Sequence, residues 1–215
     1  MTAQKNDHTP YVSVTGEGIV KVMPDQVIIR VRVENEGSSA TEVKAANDSA
    51  IDAVLKYCNQ KKIANKDIQT EYIRLNKNYD YNKKIYKYNA NQSLSIKLRK
   101  LSDYESLMQG LLDSGINRID GVNFKSSKMD VYLSDARKKA VENAKKKAME
   151  YAGVLGQSVG KAISISETNY NAPSPVDFRN KAELRSMAAS DGAAETISVG
   201  EMLITAKVNI TFILN

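Results

Sequence analysis

The 215-residue chain contains one cysteine (Cys58), one histidine (His8), four prolines and no tryptophan. A single cysteine excludes an intramolecular disulfide and any cysteine-based zinc cluster. The one histidine lies in a polar N-terminal stretch, where nothing would fix an imidazole, so neither a Ser-His-Asp triad nor a histidine-bound metal is expected. No segment approaches the roughly 18–20 apolar residues that span a bilayer. Residues 1–8 have no apolar core and, as written, do not read as a signal peptide. A mature chain behind a new initiating methionine and a cytoplasmic protein both fit them. No Gly-Lys-Ser/Thr phosphate loop occurs, and Gly16-Glu17-Gly18 has no third glycine at dinucleotide-binding spacing. Carboxylates stand singly among lysines, leaving a carboxylate site assembled by the fold as the remaining enzymatic option. The expectation is a non-enzyme with no catalytic residues, no metal, no cofactor and no small-molecule substrate.

What is present is ordinary for a globular chain: 42% hydrophobic and 26% charged residues. The 31 basic residues exceed the 25 acidic ones and are spread along the sequence. A general nucleic-acid binder concentrates such charge, so a solvated basic surface is the favoured reading and nucleic acid is disfavoured as a partner.

Along the chain, residues 1–10 read as a flexible tail and 11–215 as the folded domain. Tyr11 to Met23 reads as two short strands around Gly16-Glu17-Gly18. Gln26 to Asn35 alternates, with Val27, Ile29, Val31 and Val33 on one face, as a half-buried strand does. Ser39 and Glu42 form a capping box before a helix whose apolar stripe runs through Val43, Ala50, Ile51, Val54, Leu55 and Cys58. On that stripe Cys58 is a buried, inert thiol.

Residues 68–81 and 86–98 read as a long hairpin around Asn82-Lys83-Lys84-Ile85. With Tyr81 opposite Tyr86 and Tyr79 opposite Tyr88, Ile73 faces Leu94, and Ile73, Leu75, Leu94, Ile96 and Leu98 share a face with the tyrosines. The base would be core and the tip an aromatic, lysine-edged arm. Ser102 and Glu105 mark a second capping box, Gly115 suits a left-handed helix end, and Ile119 to Ser127 is a strand. Residues 26–127 thus read β-α-β-β-α-β, the ferredoxin-like order. A helix from about Leu133 to Leu155 carries Ala136, Ala140, Ala144, Ala148 and Ala152, a row that permits close approach to a neighbour. Lys145-Lys146-Lys147 reads as a solvated face. Val159 to Ser166 is a strand, 170–195 a long mobile loop, and Ile197 to Leu214 a final strand region. The fold class is α+β: an antiparallel sheet with the ferredoxin-like unit, a long alanine-rich helix and C-terminal strands.

The sharpest local feature is the arm, where Tyr79, Tyr81, Tyr86 and Tyr88 stand among Lys77, Lys83, Lys84 and Lys87. Three readings fit it: base stacking on single-stranded nucleic acid, protein contact or self-association, and cross-strand pairing that only stiffens the hairpin. The candidate interaction residues are Tyr79, Tyr81, Tyr86, Tyr88, Lys83 and Lys84.

In series, Val12-Ser13-Val14-Thr15-Gly16-Glu17-Gly18, Pro24-Asp25, Asp67-Ile68-Gln69-Thr70, Tyr79-Asp80-Tyr81, Tyr88-Asn89-Ala90-Asn91-Gln92-Ser93-Leu94, Gly115-Ile116-Asn117-Arg118-Ile119, Gly121-Val122-Asn123-Phe124, the Ala136–Ala148 helix and Gly200-Glu201 resemble the SIMPL-domain family over about residues 11–215. That family includes proteins described as periplasmic immunogenic protein and oxidative stress defence protein. The resemblance implies a bacterial cell-envelope, usually periplasmic protein, ring- or channel-like homo-oligomers in some members, unidentified envelope protein partners, and no catalytic residues to carry over.

Overall fold

The structure, a computed structural model, describes residues 9–168, 174–175 and 199–215. Most of the expected tail (1–10) and of the expected loop (170–195), and His8 with them, lie outside the described residues. The protein is α+β and divides into two compact units, with the chain passing between them at Met23–Pro24 and Ser127–Lys128.

The first unit holds β1 (Tyr11–Val22), α3 (Met129–Val154), β6 (Val159–Thr168), β7 (Ser174–Pro175) and β8 (Met202–Leu214). The antiparallel order is β1-β8-β6, with β7 pairing one end of β8. The alternation of β8 sets its buried face, Ile204, Ala206, Val208, Ile210 and Phe212, against α3. Contrary to the expectation of two short strands, β1 is one continuous strand of 12 residues, and its glycines are contact positions. A Cβ on Gly16 would lie 2.0 Å from the Ala140 carbonyl oxygen, and one on Gly18 would lie 2.0 Å from that of Ala136. Glycine on the strand and alanine on the helix together let the two backbones approach this closely. Ala136, Ala140, Ala144, Ala148 and Ala152 are all buried, as the four-residue repeat requires. The helix starts four residues before the expected Leu133.

Helix α3 also closes the outer edge of β1. The Glu17 N–H donates to Asn143 Oδ1 (3.1 Å), and the carbonyls of Thr15 and Ile19 accept from Lys147 Nζ (2.9 Å) and Lys139 Nζ (3.3 Å). Lys147, expected on a solvated face, is thus committed to the strand.

The second unit holds β2 (Gln26–Gly37), α1 (Ala40–Gln60), β3 (Ile68–Asp80), β4 (Ile85–Leu98), α2 (Tyr104–Asp113) and β5 (Arg118–Lys125). The observed element order is β-α-β-β-α-β, and its antiparallel sheet runs β3-β4-β2-β5. Val27, Ile29, Val31, Val33, Leu94 and Ile96 form one wall of the core, and Ile51, Val54, Cys58, Leu107 and Leu111 of the helices form the other. Ser39 caps α1 by accepting from the Glu42 N–H. At α2 the N-cap is Asp103 rather than the expected Ser102, because Leu101–Asp103 first makes a 3-10 turn. Gly115 has φ +109°, the left-handed ending expected of it. Asp25 accepts from the N–H of Ser127 (2.7 Å) and bonds its hydroxyl, tying together the two points where the chain enters and leaves this unit.

Candidate interaction surface

The hairpin β3–β4 carries the aromatic arm, and a side-chain cap at its turn sets its geometry. The Asp80 carboxylate accepts from the N–H groups of Asn82 (3.0 Å) and Lys83 (3.1 Å), while Lys84 adopts φ 52°. This Asx turn occupies residues 81–84. The ladder is therefore shifted by two residues from the expected register: Tyr79 opposes Tyr86, Lys77 opposes Tyr88, Leu75 opposes Ala90 and Ile73 opposes Gln92. Tyr81 leaves the ladder and enters the turn. A shift of two preserves faces, so Tyr86 and Tyr88 still alternate in phase with Leu94, Ile96 and Leu98. A bulge between Thr70 and Tyr72 shifts the register by one more residue, so that Ile68 pairs with Ile96 nearer the base.

The expectation that the base of the hairpin is core holds for Leu94, Ile96 and Leu98, which are buried. It fails for Ile73 and Leu75, which are 69% and 45% exposed. The core helices pack over β2 and β4, and β3, as the edge strand, runs past their cover.

The structure brings three of the four tyrosines into one ring cluster. Tyr79 lies 5.0 Å from Tyr86 at 59° and 5.1 Å from Tyr81 at 89°, an edge-to-face contact. Tyr88 is half-buried and meets the cluster through Lys77, whose ammonium sits 4.1 Å from the Tyr86 ring centre and 5.8 Å from that of Tyr88. Lys87 is held by Glu36 (2.9 Å), with Asp80 at 3.9 Å, and the Glu36 hydrogen bond raises its pKa. Lys83 and Lys84 are exposed at the tip, and their ammonium groups form no ion pair among the described residues. The rings stay largely open: Tyr79 is 41%, Tyr86 56% and Tyr81 83% exposed.

Arg30, Arg32 and Glu34, which the alternation of β2 places outward, organise the sheet face opposite the helices with partners the sequence did not reveal. Arg32 donates to Asp120 (2.6 Å) and Glu34 (2.9 Å) and lies 5.4 Å from the Tyr72 ring, with Arg74 4.8 Å from the same ring. Arg30 pairs with Glu71 (2.9 Å), which also accepts from Ser93. The Glu34 hydrogen bond, more than any other contact, raises the Arg32 pKa. The strict alternation of β2 was the available signal, but it marks these positions only as outward-facing. Asn47, also missed, is buried on α1, where its amide donates to the Val33 carbonyl (3.0 Å) and to Asn35 Oδ1 (3.1 Å).

Cys58 is fully buried, and burial pushes its thiol up to about 11. No group of three or more His, Cys, Asp or Glu side chains among the described residues could hold a metal ion. No helix among them is long and apolar enough to cross a membrane.

The comparisons with known proteins extend over nearly the whole chain. Residues 12–212 match the family described as SIMPL, protein of unknown function (DUF541). The 26 kDa periplasmic immunogenic protein of Brucella melitensis biotype 1 is 28% identical over 98% of this chain and 88% of its own length. The uncharacterized protein YggE of Escherichia coli (strain K12) is 30% identical over 99% of this chain and 87% of its own. From the Gly16–Gly18 strand through the alanine helix to the last strand, the chain belongs to the SIMPL family.

Proposed function

We infer that the protein is a non-enzymatic, oligomer-forming component of a bacterial cell envelope that works through its tyrosine arm and takes part in defence against oxidative stress. One observation carries the contact role: a cluster of tyrosine rings held in fixed mutual geometry at the end of a hairpin, beyond the cover of the core helices and continuous with exposed Leu75 and Ile73. Tyrosine is favoured at interfaces because it brings large amphipathic area with few rotamers to freeze. The periplasmic name of the Brucella relative, aligned over almost the full chain, supports the envelope assignment. The oxidative-stress part rests on the resemblance to family members described in those terms.

Nucleic-acid binding is the weaker reading. Lys77 is seated on the Tyr86 ring and Lys87 is engaged by Glu36, so two of the four arm lysines are occupied within the hairpin. Native mass spectrometry and light scattering across a concentration series test the main reading, together with Tyr79→Ala/Tyr86→Ala. A monomer at every concentration, unchanged by the double substitution, overturns it. Steeply salt-dependent retention of labelled single strands would favour the alternative. For the stress role, a strain lacking the protein should lose peroxide tolerance and regain it with the wild-type chain. Unchanged tolerance would remove that part.

A further inference from the structure

The outer edges of β1 and β3 differ. The outer edge of β1 is closed by Asn143, Lys147 and Lys139. The outer edge of β3, 13 residues long, pairs with no strand among the described residues, and exposed Ile73 and Leu75 lie along it. A long, open, partly apolar edge is a template for another strand.

We propose that β3 pairs antiparallel with β3 of a second copy about a two-fold axis at Lys77, joining the two four-stranded sheets into one. This deepens the proposed self-association and rests on it. The register follows from the faces. From Tyr72 to Asp80 the ladder with β4 is unbroken, so odd residues share one face and even residues the other. Opposed residues must lie on the same side, which leaves registers differing by steps of two. The register centred on Lys77 opposes Arg74 to Asp80, Leu75 to Tyr79 and Asn76 to Asn78, each twice by symmetry. Centring on Asn76 or Asn78 removes both Arg74–Asp80 pairs. Arg74 stacks on Tyr72 and forms no ion pair among the described residues, so its charge is available to a partner. The one like-charge encounter is Lys77 with itself, and it is relieved because each ammonium is drawn over its own Tyr86.

Disulfide trapping in the full-length protein tests the register, with native mass spectrometry reporting assembly independently. Across an antiparallel pair, Cα atoms lie about 4.5–5.5 Å apart, within disulfide reach. Lys77→Cys should therefore cross-link to itself under mild oxidation. Asn76→Cys and Asn78→Cys should each remain single but cross-link when mixed, since residue 76 would lie about 8 Å from its own copy. Buried Cys58 does not compete. Lys56→Cys on exposed α1 should give no dimer, and Arg74→Glu should weaken self-association by roughly tenfold or more. The edge pairing is overturned if the protein assembles yet Lys77→Cys does not cross-link, if Asn76→Cys links to itself as readily as to Asn78→Cys, or if Lys56→Cys links equally well. In those cases assembly through another surface survives. A chain that stays monomeric at all concentrations overturns both.

Discussion

Replacing Gly16 by alanine would put a methyl 2.0 Å from the Ala140 carbonyl oxygen and 2.7 Å from both the nitrogen and Cβ of Ala144. Heavy atoms of these kinds rest about 3.5 Å apart, so α3 would have to withdraw by more than about 1 Å. None of the three atoms is a movable side-chain end, since two are helix backbone and the third is an alanine Cβ. Withdrawal loosens the contacts of the whole alanine row, and overpacking of this kind costs about 1–3 kcal/mol. It also strains the Asn143 bond to the Glu17 N–H, worth about 1 kcal/mol. Alanine's smaller freedom in the unfolded chain returns about 0.4–1 kcal/mol. The net loss is roughly 1–3.5 kcal/mol, or about 2–14 °C in the melting temperature of the transition that includes the first unit. Calorimetry and urea unfolding would read it. Gly153, near the end of α3, is the control: a Cβ there meets nothing within 4 Å, and Gly153→Ala should gain about 0.5–1 kcal/mol. A Gly16→Ala variant as stable as the wild type would refute the close-approach account, and a Gly153→Ala variant equally destabilised would show that position in the contact is irrelevant.

Three further outcomes are expected. Cys58, buried with its thiol raised to about 11, should resist alkylation at pH 8 in the folded protein and label fully in denaturant; labelling at the rate of a free thiol would place it at the surface. The Arg99 hydrogen bond holds the Asp67 carboxyl below the usual range, so its stabilisation is complete above the unfolded value near pH 4 and is lost as pH falls through the folded value. Arg99→Gln should therefore lower the urea midpoint at pH 7, and the gap to wild type should narrow toward about pH 2; a gap independent of pH would rule out the ion pair as its cause. Gly110 lies under Tyr57, whose ring would be 2.0 Å from an added Cβ. Gly110→Ala should swing that movable ring end away from its 2.7 Å bond to the Ser106 carbonyl and change the tyrosine near-ultraviolet signal, the lost bond of about 1 kcal/mol being largely offset by alanine's gain in the helix; an unchanged signal would contradict that packing.

Elements whose information is local were legible in the sequence. β2 and β8 declare themselves by period-two burial, α3 by its alanine repeat, and α1 by Ser39 followed by an apolar stripe. Misreadings arose where the deciding atom lies far along the chain or where two turn residues compete. Gly16 and Gly18 resemble turn glycines until a helix more than a hundred residues later is known to rest on them. The hairpin register depended on Asp80 capping two N–H groups and Lys84 accepting a left-handed backbone, which moved Tyr81 off the ladder. Ile73 and Leu75 have the composition of core residues, but their exposure follows from the helices resting on β4 and β2 instead of β3. The Arg32 cluster draws residues from β2, β3 and β5, so no single segment reveals it.

The treatment of the β1 and β3 edges ties these particulars together. A sheet protein exposes unpaired backbone wherever a strand has one neighbour, and each such edge is either blocked or available. In the first unit the blocking groups recur every fourth residue on α3, at Lys139, Asn143 and Lys147, interleaved with the alanines that bring the helix close enough to reach. Close approach and edge closure are therefore one device, because a bulkier helix face would lift those side chains away from β1. In the second unit the helices cover β2 and β4 and leave β3 with its edge open and its tip dressed in tyrosine. Aromatic rings at that tip would add area and orientation to the proposed pairing along the edge, and lysine seated on Tyr86 would limit indiscriminate pairing. If β3 pairs as proposed, the chain has one long edge closed by its own helix at β1 and one open to a second copy at β3, while β6 keeps an outer edge that pairs with no strand among the described residues.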